Sequence, residues 1–340
     1  MATAALMNRD LRIVPLRAAD FDGLDAVFDE QCDEWLDLLK WDYTRPSQMI
    51  RQVARQGDLP GFAATLEGRV IGFAYYVIER DRCSFGDLYV SKQWRGIGAD
   101  RGLAAAILEE VARPRRVRRI ESQCVTVDNF EADELFEQQG LERFERRYMM
   151  SELSDARRPA RAASKLEAQS IEVRAWREED FAQAARIIHR SYQGQYDARI
   201  NSQYRTEEGC AEILSILTDT PWCGDFLPQV SRMAARRSSG HVIGILIASR
   251  IAPGVGHIGQ ISIHPAFQKQ GLGRRMLYGA MAEFERCGLG RVTLAVTGAN
   301  AAAVDLYESS GFRSIHQWPV FSGQVNGRGP GNAGGTASEN

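Results

Sequence analysis

The chain contains two copies of one pattern. Arg17-Ala-Ala-Asp20-Phe21 is answered 160 residues later by Arg177-Glu-Glu-Asp180-Phe181, each after a short alternating segment and before a helical pattern. Val70-Ile71-Gly72 is answered by Val242-Ile243-Gly244 at an offset of 172, and Leu88-Tyr89-Val90 by Ile261-Ser262-Ile263 at 173. The apolar helix positions Leu103, Ile107, Leu108 and Val111 return as Met276, Ala280, Met281 and Phe284, with the three-and-four spacing of one helix face. Asn129, Ala132, Leu135, Phe136 and Gly140 return as Asn300, Ala303, Leu306, Tyr307 and Gly311 at 171. A period this long means two duplicated domains rather than a solenoid.

The second copy predicts strands near 171–176, 241–250, 256–263, 291–297 and 313–320, and helices near 180–192, 207–217, 272–286 and 300–309. Early hairpins and late strand-helix-strand crossovers predict a mixed α/β (α+β) fold, a sheet covered by helices. The expected organisation is a first domain over 10–153, a linker over 154–170, a second domain over 171–321 and a disordered Gly-rich tail over 322–340.

Composition removes several function classes. Lys and Arg total 42 against 44 Asp and Glu, so no net positive field favours nucleic acid or anionic lipid. Nowhere do eighteen apolar residues run together, and the amino terminus lacks a basic start followed by an apolar run. The six scattered cysteines show no Cys-x-x-Cys or zinc spacing. A cytoplasmic protein with no metal site and no membrane or nucleic-acid partner is expected.

The most informative stretch is Ile261-Ser262-Ile263-His-Pro-Ala-Phe-Gln268-Lys269-Gln270-Gly271-Leu272-Gly273-Arg274. A strand ends, and two glycines one residue apart open a helix. Free N–H groups at the positive end of a helix, with no Cβ in the way, make a cradle for a pyrophosphate. The turn lacks the third glycine and downstream acid of a dinucleotide site and the Lys-Ser/Thr of a P-loop. Gln268-x-x-Gly271-x-Gly273, followed by Asn300-Ala-Ala-Ala303-Val-Asp-Leu306-Tyr307, resembles the GNAT superfamily of acetyl-CoA-dependent N-acetyltransferases.

That resemblance implies two tandem GNAT folds, each a mixed, centrally splayed sheet flanked by helices, with acetyl-CoA as co-substrate. It implies that Ile261, Ser262, Ile263 and Gln268 through Arg274 hold the cofactor, that backbone amides of Ile261–Ile263 polarise the carbonyl, and that Tyr307 protonates the leaving thiolate. Asn300 is read either as a helix N-cap or as a hydrogen-bonding partner of the cofactor arm. The strand before the cradle has no carboxylate, and His257 is read either as the general base or as a solvated residue at a hairpin end. Tyr192, Tyr196, Asp197, Trp222 and Asp225 are candidates to bind a cationic amine, with packing as their alternative role.

The first copy departs from the family pattern. Its turn can be aligned from Gln93 or, keeping the following helix in step, from Arg95; the second register sets Asp100 against Gly273 and opposes an anion there. Phe136 stands where the second copy has Tyr307. The expected function is therefore acetyl transfer to a primary amine of a small molecule or peptide in the second copy, with a degenerate first copy. A non-catalytic acyl-CoA sensor or scaffold, and an acyltransferase for longer thioesters, are the alternatives; the acceptor and oligomeric state stay open.

Overall fold

A computed structural model describes residues 10–112, 117–125, 131–155 and 171–325. Most of the expected linker and tail therefore lies outside the described residues. The described residues form two compact units, one drawn from 10–27, 53–143 and 320–325, the other from 28–52 and 144–319. These units do not coincide with the two repeats, because most of the strand that closes the first repeat and the end of the strand that closes the second each belong to the other unit.

The first unit holds β1 (Leu11–Pro15), β2 (Gly61–Leu66), β3 (Arg69–Glu79), β4 (Arg82–Val90) and β5 (Arg119–Ser122), with helices that include α3 (Ala99–Ala112) and α4 (Asp133–Gln138). Helices α1 (Phe21–Leu39) and α2 (Thr44–Gln56) divide between the units. β1 to β4 pair antiparallel in sequence order, and β5 joins β4 in parallel. The sixth place is taken by the end of the last strand, Phe321 opposite Ser122 and Gln324 opposite Arg119. That strand thus runs three residues into the stretch expected as tail, because Phe321 fills the core beside Phe136, ring centroids 4.9 Å apart.

The second unit begins with most of β6 (Glu142–Glu152) and continues with β7 (Ile171–Ala175), α5 (Phe181–Tyr192), α6 (Asp197–Ile200), α7 (Glu207–Asp219), β8 (Asp225–Phe226), β9 (Arg232–Arg236), β10 (Val242–Ala252), β11 (Val255–Ile263), α8 (Leu272–Arg286), β12 (Arg291–Thr297) and α9 (Ala301–Ser309). Its sheet order is β6-β12-β11-β10-β9-β7, with β8 on β10. The buried stripe of α8, including Leu272, Met276, Ala280 and Phe284, meets Ile258, Val292 and Leu294 from one face of the sheet. The other face is covered by α5 and α7 through Ile188, Leu214 and Ile245.

Two irregularities in β11 open this sheet. β11 and β12 pair in parallel only from Val255 to Ile258, against Arg291 to Leu294. A bulge against β10 then falls between Ile258 and Gln260. One added residue reverses which side chains face which layer. Ile258 packs in the core with α8, while Gln260, two residues on, turns to the opposite layer and donates to Tyr192 OH on α5. Beyond the bulge the edge of β11 toward β12 has no strand partner among the described residues, which is the expected central splay.

Candidate active site

The splay forms one wall of a cavity of about 680 Å³. Ile261, Ser262 and Ile263 line it from β11; Gln268, Lys269, Gly271, Gly273 and Arg274 from the following turn; Asn300 and Tyr307 from α9; and Tyr192 from α5. These expected residues are brought together by the structure. Two others on the turn are not: Leu272 is fully buried in the core, and Gln270 folds back to donate to Ala266 O at 2.9 Å.

The turn is shaped by its backbone. Lys269 has φ 57° and Gly271 φ 86°, so two left-handed residues swing the chain into α8. Gln268 Nε2 donates to Ile263 O at 3.0 Å, bracing the turn against the strand end. Arg275 N reaches Gly271 O at 3.0 Å, while the amides of Leu272, Gly273 and Arg274 have no acceptor among the described residues. A Cβ built on Gly273 meets only Leu306 at 3.6 Å and Ile263 at 3.8 Å, so the glycine leaves room rather than relieving a clash. Unpaired amides at a helix start, facing a cavity without a Cβ between, suit a diphosphate, and the turn fits the coenzyme the fold family implies.

Asn300 is the N-cap of α9, accepting from Ala303 N at 3.2 Å, and it also lines the cavity. Tyr307 lies one face further along the same helix, only 4% exposed and tilted 57° against Phe312. Its hydroxyl has no hydrogen-bond partner among the described residues. Burial first, then the neighbouring Tyr192 and Asp197, push its pKa well above the ordinary phenol range, so it stays protonated.

His257 is placed elsewhere. It precedes the bulge, does not line the cavity, and is buried between Trp41 and Tyr148 at ring centroid distances of 5.0 and 6.1 Å. Thr293 gives its one hydroxyl proton to Gly256 O and so accepts from Tyr148 OH and from His257 Nδ1 at 2.9 Å. Burial lowers the His257 pKa to about 4. Neither reading made from the sequence holds: the ring is a neutral core residue, neither solvated nor presented to a substrate.

The acceptor candidates also separate. Tyr192 stacks on Tyr204 at 4.1 Å, and its OH accepts from Gln260 Nε2 at 2.8 Å. Asp197 is buried, paired with Arg146 at 2.6 Å and accepting from Thr297 Oγ1 at 2.9 Å, so its charge is already matched. Asp225 sits at the far end of β10 opposite Arg250, about 20 Å along the strand from Gly244 beside the cradle. Hydrogen bonding from Arg250, with Arg45 beside it, holds its carboxyl below the usual range. Tyr196 is exposed under the Arg199 guanidinium, and Trp222 lies in a short turn after α7. A cationic amine therefore meets no free carboxylate at these positions.

Arg146, Gln260, Tyr204 and Thr297 form the polar layer behind Tyr192, and none was expected from the sequence. Gln260 could have been found from the strand pattern, since it stands between Gly259 and Ile261 on the cradle strand. Arg146 carries no such signal, because its strand belongs to the first repeat.

In the first unit the equivalent turn is occupied by the protein itself. Arg95 Nε donates to Val90 O at 3.1 Å, as Gln268 does to Ile263, which settles the register that begins at Arg95. Gly98 N donates to Glu131 Oε2 at 2.6 Å, and Glu131 N donates to Asp100 Oδ2 at 2.5 Å. Burial raises the Asp100 pKa, and the backbone N–H groups of Glu131, Arg101 and Asp100 itself partly offset it. Two carboxylates thus stand where an anion would lie. Phe136 is fully buried against Phe85, centroids 5.3 Å apart, and offers no hydroxyl.

The sequence pattern of the acetyltransferase (GNAT) family matches residues 24–141 and again 200–312. The chain belongs to that family and carries two GNAT domains. Over 52 residues it is 46% identical to the [Ribosomal protein bS18]-alanine N-acetyltransferase of Escherichia coli K12, a match covering 15% of this chain and 35% of that enzyme. The chain therefore spans about a third of the length of that relative. A GCN5-related N-acetyltransferase from Sphaerobacter thermophilus shares the fold with TM-score 0.64 at 17% identity, over 92% of this chain and 96% of that one. A tandem GNAT protein from the clavulanic acid biosynthesis pathway does so with TM-score 0.55 at 16% identity, over 95% and 100%.

Proposed function

We propose that the chain is an N-acetyltransferase of the cytoplasm that moves the acetyl group of acetyl-CoA to a primary amine, working in the cleft of the second unit. The observation that carries this is the contrast between two equivalent turns, one open beside Tyr307 and one filled by Glu131 and Asp100 beside Phe136. Acetyl-CoA, when bound, supplies an activated acyl group as a thioester. The amides after Gly271 and the side chains of Lys269 and Arg274 would hold its phosphates, and the unpaired edge of β11 offers N–H groups to the carbonyl. The amine attacks in its neutral form; as the amide bond forms and the carbon–sulfur bond breaks, Tyr307 gives its hydroxyl proton to the sulfur, and the proton the amine loses passes through solvent to restore the Tyr307 hydroxyl. The acceptor is a small-molecule or peptide amine; the relative named for an alanine of ribosomal protein bS18 supports the peptide form.

Thiol release from acetyl-CoA over a panel of amines and peptides tests this. Turnover that falls about 10²–10³-fold in Tyr307→Phe with coenzyme binding retained is the expected result. No carboxylate or imidazole among the described residues lines the cleft, and this favours a second reading, an acyl-CoA sensor without turnover. Tight binding with no thiol release on any amine would establish that reading, and release only from longer thioesters would establish an acyltransferase of another chain length.

A further inference from the structure

A second cavity of the same unit, about 700 Å³, is walled by α5, the β9–β10 turn and the loop after β11, and Phe267 lines both it and the cleft. Arg186 and Arg190 reach it from successive turns of α5, Arg236 and His241 from the β9–β10 turn, and His264 from the loop, while no Asp or Glu lines it. None of the three arginines has an ion-pair partner among the described residues. The Arg236 guanidinium lies 5.1 Å over the Phe267 ring. His264 Nδ1 accepts from Ala266 N at 3.2 Å, so its Nε2 carries the proton and is a donor. Ile187, Val242 and Ile243 give an apolar floor.

Three like charges around one concavity repel each other and focus a positive field, which an anion relieves. Guanidinium forks match the oxygens of a phosphate two at a time. The fold does not require this charge, because the matching positions of the first repeat are Ala26, Glu30 and Ser91 in place of Arg186, Arg190 and His264. We propose that the cavity binds a phosphate monoester, its phosphate between Arg186, Arg190 and Arg236 and its organic part against Phe267 and the apolar floor. Two sources share this chemistry, the ribose phosphate of coenzyme A reaching past Phe267 and a separate nucleoside or sugar phosphate.

Calorimetric titration of the full chain and of an Arg186→Gln/Arg236→Gln variant with coenzyme A, 3′-dephospho-coenzyme A, 5′-AMP and ribose 5-phosphate tests the proposal. Both arginines are exposed, so the variant should keep its melting temperature. A loss of about ten-fold or more for coenzyme A but not for its dephospho form assigns the cavity to the coenzyme's own phosphate. Equal coenzyme affinities together with loss of AMP or ribose 5-phosphate binding, measured with the cleft saturated by dephospho-coenzyme A, assign it to a separate ligand. An equal loss for both coenzyme forms, or unchanged coenzyme binding with neither phosphate ester bound by the wild type at millimolar concentration, overturns it. The coenzyme comparison rests on the function proposed above; failure of the wild type to bind dephospho-coenzyme A would sink that function and leave AMP and ribose 5-phosphate, added without coenzyme, to decide this site.

Discussion

Tyr307 and His257 occupy opposite ends of what a buried polar ring can do. The phenol keeps its proton because burial opposes its charge, which is the state a proton donor needs. The imidazole is held neutral by the same effect, with its pKa lowered to about 4. In the unfolded chain a histidine titrates near ~6.5. Between those values the unfolded state binds more protons, so stability is full above about pH 6.5 and falls by up to about 3 kcal/mol as pH drops toward 4. Chemical denaturation from pH 7 to 4 should show that loss, and His257→Gln should flatten it; a variant that keeps the same slope would remove His257 as its source. Since no base lines the cleft among the described residues, kcat/KM should rise with pH along the acceptor amine's own titration, unaltered by His257→Gln. Tyr307 and most of the cradle were legible in the sequence because their spacing follows the helix and turn that bear them. The environment of His257 was not, because Trp41 reaches it from a distant part of the chain.

At the level of elements, the turn before α8 and the turn before α3 share a backbone and differ in what fills them. Gly271 and Gly98 have φ of 86° and 82°, and Lys269 and Gly96 have φ of 57° and 79°. The sequence showed Asp100 in the first turn, and the structure adds Glu131, whose role depends on contact across 33 residues. An Asp100→Gly/Glu131→Ala variant removes both carboxylates and frees the Gly98 amide. In that variant combined with Gly273→Asp, which itself closes the second-unit turn, calorimetry should show one coenzyme A site, weaker than that of the wild type. No uptake by the combined variant would show that the carboxylates are not what closes the first turn. The strands and helices expected in the second repeat agree with those observed to within a few residues, but β9 (Arg232–Arg236), β8 and α6 were not expected, and the β11 bulge left no periodic mark beyond Gly259.

At the scale of the whole molecule, repeats in sequence and compact units in space divide the chain differently. Phe321 belongs to the second repeat yet packs in the first unit's core against Phe136. Phe321→Ala should therefore destabilise the first unit by about 3–5 kcal/mol and give an earlier calorimetric unfolding transition while coenzyme binding by the second unit persists. Loss of the second unit's binding with the first intact would contradict that division. The two-copy organisation was readable from residue offsets alone; the reassignment of the closing strands was not, because a strand's own pattern does not name its neighbour.

The central claim is that one turn of two grips the coenzyme. Calorimetric titration of the wild-type chain with coenzyme A should give one site per chain, abolished by Gly273→Asp and untouched by Asp100→Ala. Two sites in the wild type, or a single site that survives Gly273→Asp, would contradict the account.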